Sequence, residues 1–284
     1  QGQGIRMGPG SVNVTMNGID IADCGLALQS TGAADQVPAA GLWFADRPGC
    51  LPGGSGHTFR RMRIHDCGED AFQTDAGGFH DSTFDLCIFS NTRLRADGLP
   101  YAAERHPDAA QLYGGPMSGI TFSRSWFGSH LLQGVAMGDQ VNAVQKVSFA
   151  DCVFQGCYGF AVADNGGPPS NGWSFLRCSI DAPSLASACD CAISSTGWIM
   201  NDCVIACVGD GPFHYWGGGA CTGSGNFMYS VTDAGHRPPG TDLAAAPWSH
   251  PGSYDPSTDY AILAGSPAAG RGSRLTSVAA LLSS

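Results

Sequence analysis

Positive charge is scarce in this chain. Lysine occurs once in 284 residues, at Lys146, and charged residues of both signs make up only 13%. A formal net charge of −10 leaves no basic face of the kind nucleic acid requires, which argues against nucleic-acid binding. Long apolar runs are missing too. None approaches the roughly 18 to 20 residues of a membrane span, so no membrane span is expected. A 3.6-residue apolar pattern is also absent, which excludes a helix-rich fold. What is abundant is glycine, 41 residues, which together with Asn punctuates short apolar runs. That is the composition of an all-β chain, and the length suits one elongated domain.

Twelve cysteines fit an oxidising compartment. The chain starts at Gln1 with no initiator Met and no signal-like apolar segment. This reads as a mature, processed, exported chain, expected to be secreted or extracellular. One glycosylation-type triplet, Asn13-Val14-Thr15, is present.

Short runs repeat. Phe59 to Ile64, Phe84 to Phe89, Phe122 to Phe127, Phe149 to Phe154, Phe175 to Ile180 and Met200 to Ile205 align column by column. Their last column falls at 64, 89, 127, 154, 180 and 205, so four of five steps lie between 25 and 27 residues and one step of 38 carries an insertion. An earlier copy spans Ile19 to Cys24. A period near 25 with short apolar runs predicts a solenoid, each repeat one coil of strands stacked on the next. A β-sandwich with regular strand spacing is the other reading, and it does not explain why one residue type recurs in one column. Cys87, Cys152, Cys178 and Cys203 share such a column with Met62 and Ser125, while Cys24, Cys67 and Cys157 share another. The thiols read as an inward apolar stack, with a Cys178–Cys203 disulfide also within reach. Cys189-x-Cys191 and Cys203-x3-Cys207 lack the partners of a zinc site.

These columns resemble those of the right-handed parallel β-helix proteins, the pectate-lyase-like superfamily. A second likeness lies in residues 259–273, where Gly265, Ser266, Pro267, Ala268 and Gly270 match the closing segment of many secreted bacterial β-helix proteins. The resemblance implies an all-β, single-stranded right-handed parallel β-helix with long loop insertions. It implies a single domain over residues 1–284, with coils over about residues 11–233 and residues 234–284 packing along the last coils.

One polar phrase is written twice: Asp70-Ala-Phe-Gln73 and Asp108-Ala-Ala-Gln111. Stacked coils bring Asp70 near Asp108 and Gln73 near Gln111. If those side chains face outward, the carboxylates take the spacing that glycoside chemistry uses, roughly 5 to 9.5 Å. Turn-capping of backbone N–H groups is the competing role for the two aspartates. Between the copies lies an insertion with Arg93, Arg95, Arg105 and His106. Arginine recognises carboxylates with paired hydrogen bonds, and His works as acid or base near neutral pH. The run from His106 to Gln111 also resembles a His-x-Asp-Gly-Ile-Gln run of exported β-helix proteins, with Ala109 in place of the usual Gly.

The expectation is therefore a carbohydrate-active protein that cleaves an anionic, uronic-acid-containing polysaccharide, a lyase rather than a hydrolase. His106, Asp108, Asp70 and Arg105 are the candidate catalytic residues. Arg63, Arg93, Arg95, Gln73, Gln111, Tyr113 and Trp126 are the candidate substrate contacts. Asp70, Asp75 and Asp108 are candidate ligands for Ca²⁺, which takes about six to eight oxygens. The lone Lys146 argues against lysine-based lyase chemistry. The Asn-Thr-Asp-Gly and Gly-His-Gly runs of the hydrolase branch are absent. The rival reading is a non-catalytic adhesin or filament subunit, self-associating through an uncapped N-terminal coil.

Overall fold

The computed structural model describes residues 5–6, 10–22, 42–44, 54–66, 70–74, 78–90, 108–112, 117–128, 133–137, 144–155, 160–164, 172–182, 187–191, 198–207, 214–215, 221–231, 237–252 and 259–283. Almost all regular structure among them is short β-strand, gathered into three long sheets in which every strand pair is parallel. Sheet A has eight strands, from Ile5–Arg6 through Phe72–Thr74, Asp108–Leu112 and Gln133–Met137 to His214–Tyr215. Sheet B has eleven, running from Ser11–Val12 to Thr222–Ser224, and sheet C has nine, from Asp20–Ala22 to Gly240–Asp242. The chain visits B, C and A in turn and then moves one strand along each, which is consistent with a parallel β-helix. One helix, Val278–Leu282, is described, and no helix among the described residues is long and apolar enough to cross a membrane.

The repeat columns read from the sequence are register columns. Ile21, Ile64, Phe89, Phe127, Phe154, Ile180 and Ile205 pair strand to strand in sheet C. In sheet B the same holds for Met16, Phe59, Phe84, Phe122, Phe149, Phe175 and Met200. Parallel pairing without slip sets like side chain on like, so the phenyl rings stack. Phe84 lies on Phe122 at 4.7 Å, Phe122 on Phe149 at 5.2 Å and Phe149 on Phe175 at 4.8 Å. These rings are fully buried and form the spine of the core.

Sheet B passes to sheet C through corners of one or two residues, each with one left-handed residue. Arg61, Leu86, Arg124, Asp151, Arg177 and Asp202 have φ between 46 and 57°, flanked in the series by Gly18 and Gly225. A left-handed non-glycine costs about 1–2 kcal/mol, so this corner is imposed by its neighbours. Each backbone N–H donates to the carbonyl of the next coil, as from Asp151 to Leu176 and from Arg177 to Asn201. Side chains at the same corner pair across coils: Arg124 donates to both oxygens of Asp85, and Arg177 to both of Asp151.

The thiol column is inward and unbridged. Cys87, Cys152, Cys178 and Cys203 are free and buried, so the Cys178–Cys203 disulfide open in the sequence is not formed. Each thiol donates instead to backbone carbonyls, Cys152 to Phe122 and Ala150 among them. Burial pushes the Cys87 thiol up to about 12 and holds Cys178 and Cys203 well above their ordinary value, which keeps them protonated and inert. Cys24, Cys67 and Cys157 lie outside the described residues.

The outer face of sheet C is covered by the C-terminal segment. Ile88, Trp126, Val153, Val204 and Phe227 share one outward column and form a second apolar cluster with Leu243, Trp248, Tyr260, Ala268, Leu275 and Leu281. Polar contacts fix the segment in place. Tyr260 Oη and the Gly252 N–H both donate to the buried Asp181 carboxylate, each at 2.7 Å. Ser273 donates its N–H to Ser179 Oγ at 3.0 Å and its hydroxyl to the Asp151 carbonyl at 2.8 Å. The segment reaches back past Trp126 to Leu86 and Ile88, in the early coils. Within it, Ala268 of the Gly-Ser-Pro-Ala run is fully buried against this cluster.

Candidate functional site around the doubled phrase

The two polar phrases are neighbours in sheet A. Phe72 pairs with Ala110 and Gln73 with Gln111, so the strands run in the register that equates Asp70 with Asp108. The side-chain direction is the part that differs from expectation. Asp70 is 3% and Asp108 0% exposed, and Asp70 Oδ1 accepts the Asp108 N–H at 2.8 Å. The reason is strand parity: Asp108 falls on the same side as Ala110 and Leu112, both in the core, and only Gln111 of that strand reaches partial exposure. The aspartates do not form an outward pair. Phe72, two residues after Asp70, is the sequence signal for an inward direction.

Asp70 thereby acts as a backbone clamp. Asp108 is the first residue of its strand and follows the insertion 91–107 directly. The carboxylate of one coil catches the chain where it re-enters the next, and Ala71 N–H returns a bond to the Asp108 carbonyl at 2.9 Å. Asp70→Asn keeps an acceptor oxygen at this point, whereas Asp70→Ala leaves a buried N–H unsatisfied. We expect Asp70→Ala to lower unfolding stability by about 1–3 kcal/mol and Asp70→Asn to cost less. Denaturant midpoints for the pair check this, and equal losses would remove the clamp.

The other sequence candidates fall in different places. His106, Arg105, Arg93, Arg95, Tyr113 and Asp75 lie outside the described residues. Gln73 and Gln111 are register neighbours, with Gln111 half-buried. Arg63 is on sheet C, where its guanidinium lies 3.9 Å from Asp20. It lines a cleft of about 240 Å³ with Asp20, Arg61, Leu86, Ile88, Leu281 and Leu282. Trp126 turns away from the interior stack, as its place between two inward columns requires. It is nonetheless fully buried, edge-on to Tyr260 at 5.4 Å, with its indole N–H donating to Gln155 Oε1 at 3.1 Å. No sugar ring can stack on it while the segment is in place.

For Ca²⁺, the described candidates offer two buried carboxylates, one oxygen of which already accepts a backbone N–H. Among the described residues no group of three His, Cys, Asp or Glu side chains is placed to hold a metal. Asp75, the third candidate ligand, lies outside the described residues.

One polar cluster was not singled out from the sequence. His65 joins Asp66 through Nδ1 at 2.6 Å and Asp20 through Nε2 at 3.1 Å, with Arg63 beside Asp20. Its signal is columnar: Asp20 pairs with Arg63, and Ala22 with His65. In later coils the column of Asp20 and Arg63 turns apolar, at Ile88, Trp126 and Val153, where the C-terminal segment covers it.

The arrangement of connections sets sheet A apart. Passages from B to C are at most two residues, whereas those from C to A and from A to B include residues 23–41, 45–53, 91–107 and 165–173. Long connections on a rigid sheet are where binding and catalytic groups concentrate. Compared with known proteins, the chain matches no protein-family model and no curated protein sequence.

Proposed function

We propose that the chain is a secreted, right-handed parallel β-helix that binds an anionic, uronic-acid-containing polysaccharide along sheet A and cleaves it by β-elimination. The observation that carries this reading is the placement of the long connections. Each of them has one end on a sheet A strand, while the later coils of sheet C are covered by Leu243, Trp248, Tyr260, Ala268, Leu275 and Leu281 and the B-to-C corners are tight.

In this reading the 91–107 insertion supplies the chemistry. His106 takes the proton from C5 of the uronate. The C5–H electrons form the C4=C5 double bond, the C4–O bond breaks, and the departing oxygen is protonated by solvent. Arg105 neutralises the substrate carboxylate, which makes the C5 proton removable, and Arg93 and Arg95 hold neighbouring uronates. Asp70 and Asp108 are positioning residues here. Their bond fixes the chain two residues after His106. Gln73 and Gln111 offer amide groups to the polymer along the sheet. No step is routed through Ca²⁺.

The test is incubation with a panel of uronans and neutral glycans, with and without chelator. We expect an unsaturated product, read by ultraviolet absorbance, from a uronan and from no neutral glycan, and equal rates with chelator. His106→Ala is expected to cut turnover at least about a hundredfold, the scale of a lost acid–base group. New reducing ends without unsaturation would make the protein a hydrolase. No product from any polymer would replace this reading by the non-catalytic one, a binding or filament-forming subunit.

A further inference from the structure

A histidine is buried in the core near the start of the solenoid. His57 is 1% exposed and sits in an inward column between Val14 of the first coil and Ser82 of the third. Its ring stacks on Phe79 at 5.9 Å and tilts against Phe59 at 6.0 Å. Gly54 leaves it room, since a Cβ there would fall 2.4 Å from Nε2. The polar contact that matters is at the other nitrogen. Val14 of the first coil donates its backbone N–H to His57 Nδ1 at 3.1 Å. Accepting that bond requires a lone pair on Nδ1, so the ring is neutral with its proton on Nε2.

The geometry points to a pH-operated latch: protonation of His57 releases the first coil, residues 10–22, from the rest of the solenoid. An imidazolium has donors at both nitrogens and no acceptor. Once Nδ1 carries a proton, two N–H groups face each other in a site walled by phenyl rings, and neither can turn to water without moving the coil. The coil is also tied by the parallel ladders of Ser11–Val12, Thr15–Asn17 and Asp20–Ala22 and by the packing of Met16, Ile19 and Ile21 on the core. At its corners Asn13 N–H donates to Ser55 O, Thr58 N–H to Val14 O, Gly18 N–H to Arg60 O and Arg63 N–H to Ile19 O. Release bares the edges of Gly54–Ser55, Thr58–Arg60 and Arg63–His65, which then offer unpaired N–H and C=O groups to another strand.

Val14, Gly54, Phe59, Phe79 and Ser82 touch His57 and carry no group titratable in this range. On the elements packed around it, His80 is engaged with Ser118 Oγ and Arg60 with Asp85. His65 lies between Asp20 of the first coil and Asp66. Burial lowers the proton affinity of His57 in the closed coil. The open coil returns it to the ordinary value of 6.5. The latch therefore contributes fully above that pH and weakens as pH falls from 6.5 towards the lower closed-state value.

Amide hydrogen exchange of Val14 to Ala22, followed from pH 7.5 to 5 and corrected for the intrinsic rate, tests the latch. We expect protection there to fall by up to about tenfold per pH unit below the onset, while amides of residues 174–182 keep theirs. His57→Asn sets a non-titrating carbonyl oxygen in place of Nδ1 and is expected to abolish the slope. A wild-type profile for Val14 to Ala22 that is flat, or parallel to that of residues 174–182, overturns the proposal. So does an unchanged slope in His57→Asn. If both that variant and His57→Leu lose first-coil protection at every pH, the localised wild-type slope is the deciding result.

Discussion

Trp126→Ala lowers the unfolding free energy by about 3–5 kcal/mol, the usual cost of emptying a fully buried aromatic site, and leaves affinity for any glycan unchanged. The indole fills the space between sheet C and the C-terminal segment, with Tyr260 across its edge and Ile88 and Val153 on either side in register. Truncation opens a void beneath Tyr260 and removes the indole N–H bond to Gln155 Oε1. Urea midpoints give the stability term, and glycan titration gives the binding term. The opposite pair of outcomes, normal stability with lost binding, would mean that the segment lifts and the ring serves a ligand.

Asp181→Ala is expected to be comparably severe, costing about 3–5 kcal/mol, because it strips a buried carboxylate from two donors, one of them the fully buried Tyr260 hydroxyl. Tyr260 Oη and the Gly252 N–H converge on its two oxygens from the C-terminal segment. Tyr260→Phe removes one of these bonds and is expected to cost about 1.5–3 kcal/mol. Limited proteolysis distinguishes local from global damage. Cleavage within residues 237–283 is expected to accelerate in Asp181→Ala before the sheets open, since the Phe84–Phe122–Phe149–Phe175 stack does not depend on the segment. An Asp181→Ala protein with the wild-type midpoint and digestion pattern would reduce this contact to a surface detail.

The interior was the most legible part of the chain. Inward residues on stacked parallel strands meet their own equivalents, so a column of Phe or Cys is written into the sequence at the coil period, and register follows from the period alone. The step of 38 between the doubled phrases also read correctly, because an insertion between strands shifts numbering without shifting register. For Asp70 and Asp108 two roles stood open in the sequence, an outward pair and capping of backbone N–H groups, and Asp70 takes the second at the Asp108 N–H. Phe72 and Leu112 at matching parity pointed inward, and the buried charge is tolerated because Asp70 finds a backbone N–H. The thiol column left a disulfide open, since spacing brings sulfurs near one another but does not show that each S–H already has a carbonyl to bond.

By itself, then, the order of residues determined an all-β chain, its coil period, its inward columns and the neighbours of the doubled phrase. All of these depend on local alternation and on repetition, which a linear text records. Only the tertiary structure decided that Trp126 is covered, that Asp181 holds the covering segment and that His57 reaches into the first coil. Those contacts join residues 43 to 134 positions apart, with no period to announce them. Each depends on one segment closing over another, which no residue type along the chain can specify alone.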